Sequence, residues 1–195
     1  MPEALIASAI PTLPEAKAYL ARASITVDDD PLAVAVNGVA GQVEIYCHRK
    51  LKSRAYAPMT VSGSASATVV LPQWPITAFS AAAELSTTGA ARTINIAGWR
   101  VSTRGVLWLP NDVFGKGFRN IELTCTAGYT FAAHPEEWDA LRLASLRWIQ
   151  SVFLDQQNGV GRGTGFSAGG ESVSLIDVAV PKDVAFILDR FLRLS

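Results

Sequence analysis

The sequence predicts an α+β protein: a small bundle of about four helices with an inserted antiparallel β lobe. Three observations predict this class. Two long stretches, beginning near residues 28 and 135, place apolar side chains at helical spacing. Between them, residues 54–130 alternate short β-prone runs with Gly, Pro and Ser. A further helical pattern closes the chain after Pro181. Strands inserted between helices that pack together are typical of α+β folds.

The bulk composition suits a single domain that is covered by neighbours. The chain has 195 residues, of which 49% are apolar and 17% are charged, against about 25% charged in typical domains. Fewer charges on the same surface indicate that other protein covers much of it, although a compact Ala- and Ser-rich domain would look similar. The formal net charge is zero, which gives no support to a dedicated nucleic-acid binder.

The cysteines and the chain start indicate a reducing compartment. Cys47 and Cys125 form no CxxC pair and sit among apolar neighbours, as buried thiols do in reducing compartments. Residues 1–6 lack the basic region and apolar run of a secretory signal. No stretch approaches the roughly 18 apolar residues of a spanning helix. We therefore expect synthesis in the cytoplasm and no membrane partner.

The first two helices carry start signals. Thr12, Pro14 and Glu15 form a capping-box pattern before a short helix over 13–21. Residues 28–30 are three aspartates followed by Pro31, which predicts a helix that runs to the basic residues 48–52. Gly38 and Gly41 lie inside this helix and could permit close approach of another helix.

The middle of the chain predicts strands. The β-prone runs are 57–62, 67–71, 76–85, 93–96, 99–103, 106–109 and 119–127. In the last run, alternation places Ile121, Leu123 and Cys125 on one face, as in a half-buried antiparallel strand.

The C-terminal part predicts two more helices. One begins at Pro135 and ends before Asn158-Gly159, with a buried stripe formed by Trp138, Leu141, Ala144, Trp148, Ile149 and Val152. A glycine-rich loop over 159–170 and an extended run over 172–180 follow. Pro181 then opens a final helix whose apolar stripe comprises Val184, Ile187, Leu188 and Phe191.

The search for catalytic chemistry predicts that the protein is not an enzyme. Residues 165–169 fit G-x-S-x-G around Ser167, but a nucleophile elbow needs a strand before the serine and a histidine after it. Both His48 and His134 precede Ser167, so a serine hydrolase is the less favoured alternative. Cys47 and His48 are adjacent and do not form a metal-ligand cluster. We therefore predict no catalytic, cofactor-binding or metal-binding residues.

Two features suggest contact with other macromolecules. The basic cluster at 48–54 could face DNA phosphates or an acidic partner, or it could be a solvated helix end. Trp138 and Trp148 are predicted to be core residues. Trp74, Trp99 and Trp108 fall in the β lobe, where some could anchor an interface.

Several motifs in a fixed order resemble the head–tail connector (adaptor) proteins of long-tailed bacteriophages. The EAK-x-x-L start at 15–20 and the helix ending in Tyr46 and Arg49 resemble the family's N-terminal part. L-P-x-x-P-I at 71–76, the strand ending in A-G-Y at 127–129, and G-x-x-S-x-S at 169–174 also match in order. The β lobe looks longer than in compact relatives. The resemblance covers nearly the whole chain.

The resemblance implies a structural virion protein of the neck, assembled in the bacterial cytoplasm. Family members form a ring, twelve copies in known relatives, that joins the portal to the stopper or tail and continues the DNA channel. It implies one connector domain over 1–195, with a helical core at 13–53 and 135–195 and a β insertion at 54–130. Another neck or tail-completion protein is the alternative.

The resemblance also implies contact residues. The portal-contact candidates are the terminal helix and the loop 159–175, namely Val184, Ile187, Leu188, Phe191, Phe166 and Ser167. The basic candidates that would line the channel, close to packaged DNA, or meet a partner are Arg49, Lys50, Lys52 and Arg54.

Overall fold

The α+β class is confirmed by the computed structural model, which describes residues 4–23, 25–86, 91–102, 105–157 and 180–192. Within these residues the chain forms four helices and seven strands. They belong to two compact units. The helical unit comprises Met1–His48 and Pro135–Ser195, and the β unit comprises Arg49–His134. That the two act as one connector domain stays a prediction.

The helices of the helical unit lie close to their predicted positions. They are α1 (Leu13–Arg22), α2 (Asp29–Tyr46), α3 (Pro135–Gln157) and α4 (Lys182–Leu188), which continues into a 3₁₀ turn at Asp189–Phe191. Helix α3 packs against α1, α2 and α4, and α1 also packs against α2. None of the helices within the described ranges combines the length and apolar character needed to span a bilayer.

The two predicted helix starts differ in their capping. At α1 the capping box forms: the Glu15 amide donates to the Thr12 hydroxyl at 3.4 Å, and the Thr12 amide donates to the Glu15 carboxylate at 2.8 Å. Asp28 occupies the N-cap position of α2, but its side chain makes no capping hydrogen bond. Asp29 and Asp30 therefore act on α2 through the helix dipole.

The predicted end of α2 is wrong. The helix stops at Tyr46, Cys47 is its C-cap, and His48 adopts a left-handed φ of 53°. The chain then leaves the helical unit, so the basic residues that follow are not a helix C-terminus.

Apolar stripes of the four helices form the core of the helical unit. Leu32, Val36 and Val43 of α2 and Leu141, Ala144 and Trp148 of α3 are at most 2% exposed. Trp138 is only half-buried, so its predicted place in the core is corrected. A Cβ at Gly41 would meet nothing within 4 Å, which shows that this glycine does not serve a close helix contact among the described residues.

The β unit contains two antiparallel sheets. The larger has the order β1 (Arg54–Gly63), β7 (Gly117–Ala127), β3 (Ile76–Leu85) and β4 (Ala91–Thr93). The smaller has the order β2 (Thr68–Val70), β6 (Val106–Trp108) and β5 (Arg100–Val101). The predicted run at 76–85 matches β3, and the others match to within a few residues.

Strand β7 organises the larger sheet because it pairs on both sides. Leu123 lies opposite Met59 of β1 and Ala82 of β3. Ile121, Leu123 and Cys125 are at most 4% exposed, which confirms the predicted alternation. They share one core with Val69 and Leu107 of the smaller sheet and with Leu109 and Phe114, which follow β6.

Candidate interaction surfaces

The predicted contact residues of the last helix are mostly core residues. Val184 and Leu188 are fully buried and Phe191 is 2% exposed, while Ile187 is half-buried. Their stripe faces inward because α4 packs against α3. The C-terminal end of α4 and the turn after it contact the end of α2: the Tyr46 hydroxyl donates to Asp189 at 2.5 Å, and the Cys47 thiol lies 3.9 Å from the Leu188 carbonyl. Burial takes Val184, Leu188 and Phe191 away from any partner, so their predicted portal contact is corrected, whereas that of Ile187 stays a prediction. Phe186, which is 79% exposed, is the apolar residue that α4 offers to a partner.

The second set of predicted portal contacts cannot be placed on a surface. Phe166, Ser167 and the rest of the loop 159–175 lie outside the described residues, as does the predicted extended run up to residue 179. Their roles stay predictions.

The basic cluster is split by the structure, because Arg49 is 4% exposed. Its guanidinium lies 3.9 Å from the centre of the Trp74 ring and 5.3 Å from the centre of the Tyr129 ring. It donates to the Trp74 carbonyl at 2.6 Å and to the Tyr129 hydroxyl at 3.0 Å. Arg49 therefore makes its contacts inside the β unit, and it is removed from the candidates for a DNA channel.

The contacts of Arg49 gather three of the motifs that carry the family resemblance. Arg49 follows the helix ending, Trp74 belongs to the L-P-x-x-P run, and Tyr129 ends the A-G-Y run. Backbone hydrogen bonds of 2.7–3.0 Å join the same segments. The Tyr129 amide donates to the Leu51 carbonyl, the Ser53 amide to the Tyr129 carbonyl, and the Gly128 amide to the Pro75 carbonyl. We call this group of residues 49–53, 74–75 and 128–129 the clasp. The clasp shows that these motifs hold the two ends of the β unit together.

Gly128 fits the clasp for a steric reason. Its φ is +115°, a region that side chains avoid. A Cβ there would also lie 2.7 Å from the Ser53 nitrogen and 2.8 Å from the Leu51 oxygen. The glycine of A-G-Y therefore lets two backbone segments touch.

The other members of the basic cluster remain accessible. Lys50 is exposed, and Lys52 and Arg54 are half-buried at the start of the β unit. Their predicted role in a channel or at a partner stays a prediction.

Dividing the chain into its two units reveals a charge separation that the total charge conceals. Residues 49–134 contain nine Lys and Arg against three Asp and Glu, a net charge of +6. Residues 1–48 and 135–195 contain eight Lys and Arg against fourteen Asp and Glu, a net charge of −6. The predicted insertion at 54–130 contains six Lys and Arg against three Asp and Glu, so counting charges within it would have found half of this separation from the sequence. The protein therefore carries one basic and one acidic unit.

Part of the basic charge is used internally. Arg92 bonds Glu84 at 2.8 Å and Asp112 at 3.0 Å, so it uses two of the three acids of the β unit. The pKa of Asp112 is lowered because hydrogen bonds stabilise its carboxylate; the largest contribution comes from the Asn95 amide and the next from the Arg92 side chain. Cations on other surfaces, such as Arg100, Lys116 and Arg119, are exposed. They leave the outer surface of this unit strongly basic.

The three tryptophans of the β unit have separate roles. Trp74 belongs to the clasp, and Trp99 packs edge-on against Phe79 with ring centres 5.4 Å apart. Trp108 is 39% exposed and has the Arg100 guanidinium 5.7 Å from its ring centre. Of the three, Trp108 is the one on a surface.

The described residues offer little for chemistry. Within them no group of three or more His, Cys, Asp or Glu could hold a metal ion. Cys47 and Cys125 are both buried, and burial raises the pKa of the Cys125 thiol to about 11, so it stays protonated at neutral pH.

The fold is similar to that of chains in gene transfer agent (GTA) particles. One belongs to the neck of an empty GTA particle computed with C6 symmetry, with a TM-score of 0.59 and 16% identity over 100% of this chain and 95% of that one. Another belongs to the virion of a native GTA particle, with a TM-score of 0.56 and 16% identity over 100% of this chain and 95% of that one. A third belongs to the neck of a native GTA particle computed with C12 symmetry, with a TM-score of 0.54 and 18% identity over 100% of this chain and 96% of that one.

At these identities the similarity establishes a shared fold. No protein-family model matches the sequence. No curated protein matches it either.

Proposed function

We propose that the protein is a structural component of a phage-type neck, a head–tail adaptor whose copies form a ring between the portal and the stopper or tail. The ring continues the DNA channel, and the protein catalyses no reaction. The observation that carries the proposal is the likeness along the whole chain to chains of GTA necks.

Symmetry and charge add support. The two neck structures were computed with six-fold and twelve-fold symmetry, and a ring of twelve is compatible with both. A ring needs heterologous contacts, in which one patch meets a different patch on the next copy. A chain with a +6 unit and a −6 unit has two such unlike surfaces.

The test is electron microscopy of the protein mixed with the portal protein encoded in the same genome. We expect a further ring of density at the tail-side end of the portal, with one copy for each portal subunit. The portal alone is the control. Density absent from the portal but present on isolated tails would favour a tail-completion protein and contradict the adaptor role.

The absence of catalysis has its own test. A fluorophosphonate probe should leave the protein unlabelled. Labelling that disappears in Ser167→Ala would contradict the proposal and favour the serine hydrolase alternative.

A further inference from the structure

We propose that an exposed corner of the β unit of one copy inserts into a groove between α1 and α3 of the next copy. The corner consists of Lys116, Phe118 and Arg119, and we call it the Phe118 corner. The inference rests on the proposed ring and identifies a contact that closes it.

The Phe118 corner presents an apolar ring between two cations. Phe118 is 87% exposed, more than any other large apolar residue in the described part of the chain. Lys116 and Arg119, close to it in sequence at the start of β7, are also exposed. Single exposed apolar residues are common, so the argument depends on how the corner is built and on its charge.

The backbone of the Phe118 corner is fixed before any partner binds. The Asn120 side chain accepts from the Gly63 amide at 2.9 Å and donates to the Gly115 carbonyl at 3.2 Å. The Arg119 amide donates to the Ser62 hydroxyl at 3.0 Å. Little ordering of the corner is therefore needed on binding, and preorganisation of this kind increases affinity.

The receiving groove lies within the helical unit, along α1 and α3. It has a volume of about 460 Å³, and its apolar lining includes Tyr19, Leu143 and Leu146. Clefts of about 300–1,000 Å³ hold drug-sized ligands, so one phenyl ring fits. At one side Arg142 holds Glu15 at 3.0 Å and Asp139 at 2.9 Å, which orients both carboxylates.

Charge selects a second copy as the occupant. The ionic groups that line the groove balance one another, but the unit around it has a net charge of −6. Glu136 is exposed on α3, and Asp28 and Asp30 are exposed at the start of α2. Lys116 and Arg119 would reach this acidic surface while Phe118 enters the groove. The corner and the groove are unlike patches, as the head-to-tail contact of a ring requires.

The first test is cysteine crosslinking between two variants that are mixed. One carries Lys116→Cys, which keeps the Phe118 ring, and the other carries Leu143→Cys. The native cysteines are buried away from the reagent. We expect a crosslinked dimer from the mixture, in concentrated protein or in the portal-bound assembly, and none from either variant alone. Phe131→Cys replaces Lys116→Cys in the matched control, because Phe131 is also an exposed residue of the β unit, at 59%. Absence of the crosslink in both settings would overturn the proposal.

The second test measures self-association by analytical ultracentrifugation or mass photometry. Phe118→Ala should weaken it about thirty-fold, as loss of an aromatic hot spot does, while Phe131→Ala should not. Lys116→Glu should also weaken it, and Glu136→Lys on the neighbouring copy should restore part of the loss. Association of Phe118→Ala equal to that of the wild type would refute the contact.

The outcomes separate this inference from the proposed function. If a ring forms on the portal but neither the crosslink nor the Phe118→Ala effect is seen, the contact is wrong and the adaptor role stands. If the crosslink forms but no density adds to the portal, the adaptor role fails and the contact stands. If the corner variants lose binding to a 30-base-pair DNA duplex without any change in self-association, the corner serves DNA and the proposal is overturned.

Discussion

Replacing Arg49 by leucine should destabilise the β unit by about 3 kcal/mol. A buried cation–π contact contributes about 2 kcal/mol, and each hydrogen bond from a charged donor contributes about 1.5–3 kcal/mol. Arg49 makes both kinds of contact at 4% exposure. Relief of its desolvation offsets part of that sum. The neutral acceptors that lose their donor cost about 1–3 kcal/mol each, which brings the net loss to about 3 kcal/mol.

The measurement is urea unfolding followed by tryptophan fluorescence, in which Trp74 reports on the clasp directly. Hydrogen exchange adds a local readout, since the Gly128 and Tyr129 amides should lose protection first. Arg100→Leu is the matched control. Its guanidinium lies 5.7 Å from the Trp108 ring centre on an exposed surface, so its loss should cost about 1 kcal/mol or less. Equal stability of the two variants would refute the role assigned to the clasp.

Three further predictions concern the helical unit. The hydrogen bond to Asp189 raises the pKa of Tyr46 to about 12, so its contribution to stability is present below pH 10 and is lost as the pH rises through 12; ultraviolet titration of Asp189→Asn should show this tyrosine ionising nearer pH 10. Gly41→Ala should stabilise α2 by about 1 kcal/mol, measured by thermal unfolding, because its Cβ meets nothing within 4 Å; destabilisation would reveal a close contact at this position. The backbone hydrogen bond from Thr12 lowers the pKa of Glu15, which favours its charged form, so Glu15→Gln should weaken folding at pH 7 and lose that effect as the pH falls below 4.5; an equal effect at pH 3 would contradict this linkage.

Local patterns were sufficient for most of the fold. The strand over 76–85 and the alternation at 121–125 follow from side-chain size and period, which act over a few residues. The end of α2 could not be predicted in this way. Cations after a helix suit its dipole, but Arg49 is drawn away by Trp74 and Tyr129, which lie 25 and 80 residues further along the chain.

The candidate contacts show a different limit. The stripe on α4 was recognised correctly as apolar, but such a stripe usually faces the protein's own core, and Val184 and Leu188 do so. The pattern alone does not say whether it faces a neighbouring molecule. Hydrophobic periodicity could not identify Phe186 and Phe118 as exposed, because it describes the spacing of several apolar residues and says nothing about a single one. Their exposure emerges when the surrounding chain is folded.

The clasp has a consequence for how this chain can change over evolutionary time. Because Leu51 and Tyr129 are joined by a backbone hydrogen bond of 2.7 Å, the segment between them begins and ends at nearly the same point. A segment with adjoining ends can lengthen, shorten or be replaced by another without pulling the helices that flank it apart. The segment between these two residues can thus be read as an exchangeable module, and a foreign domain grafted there should leave the helical unit folded.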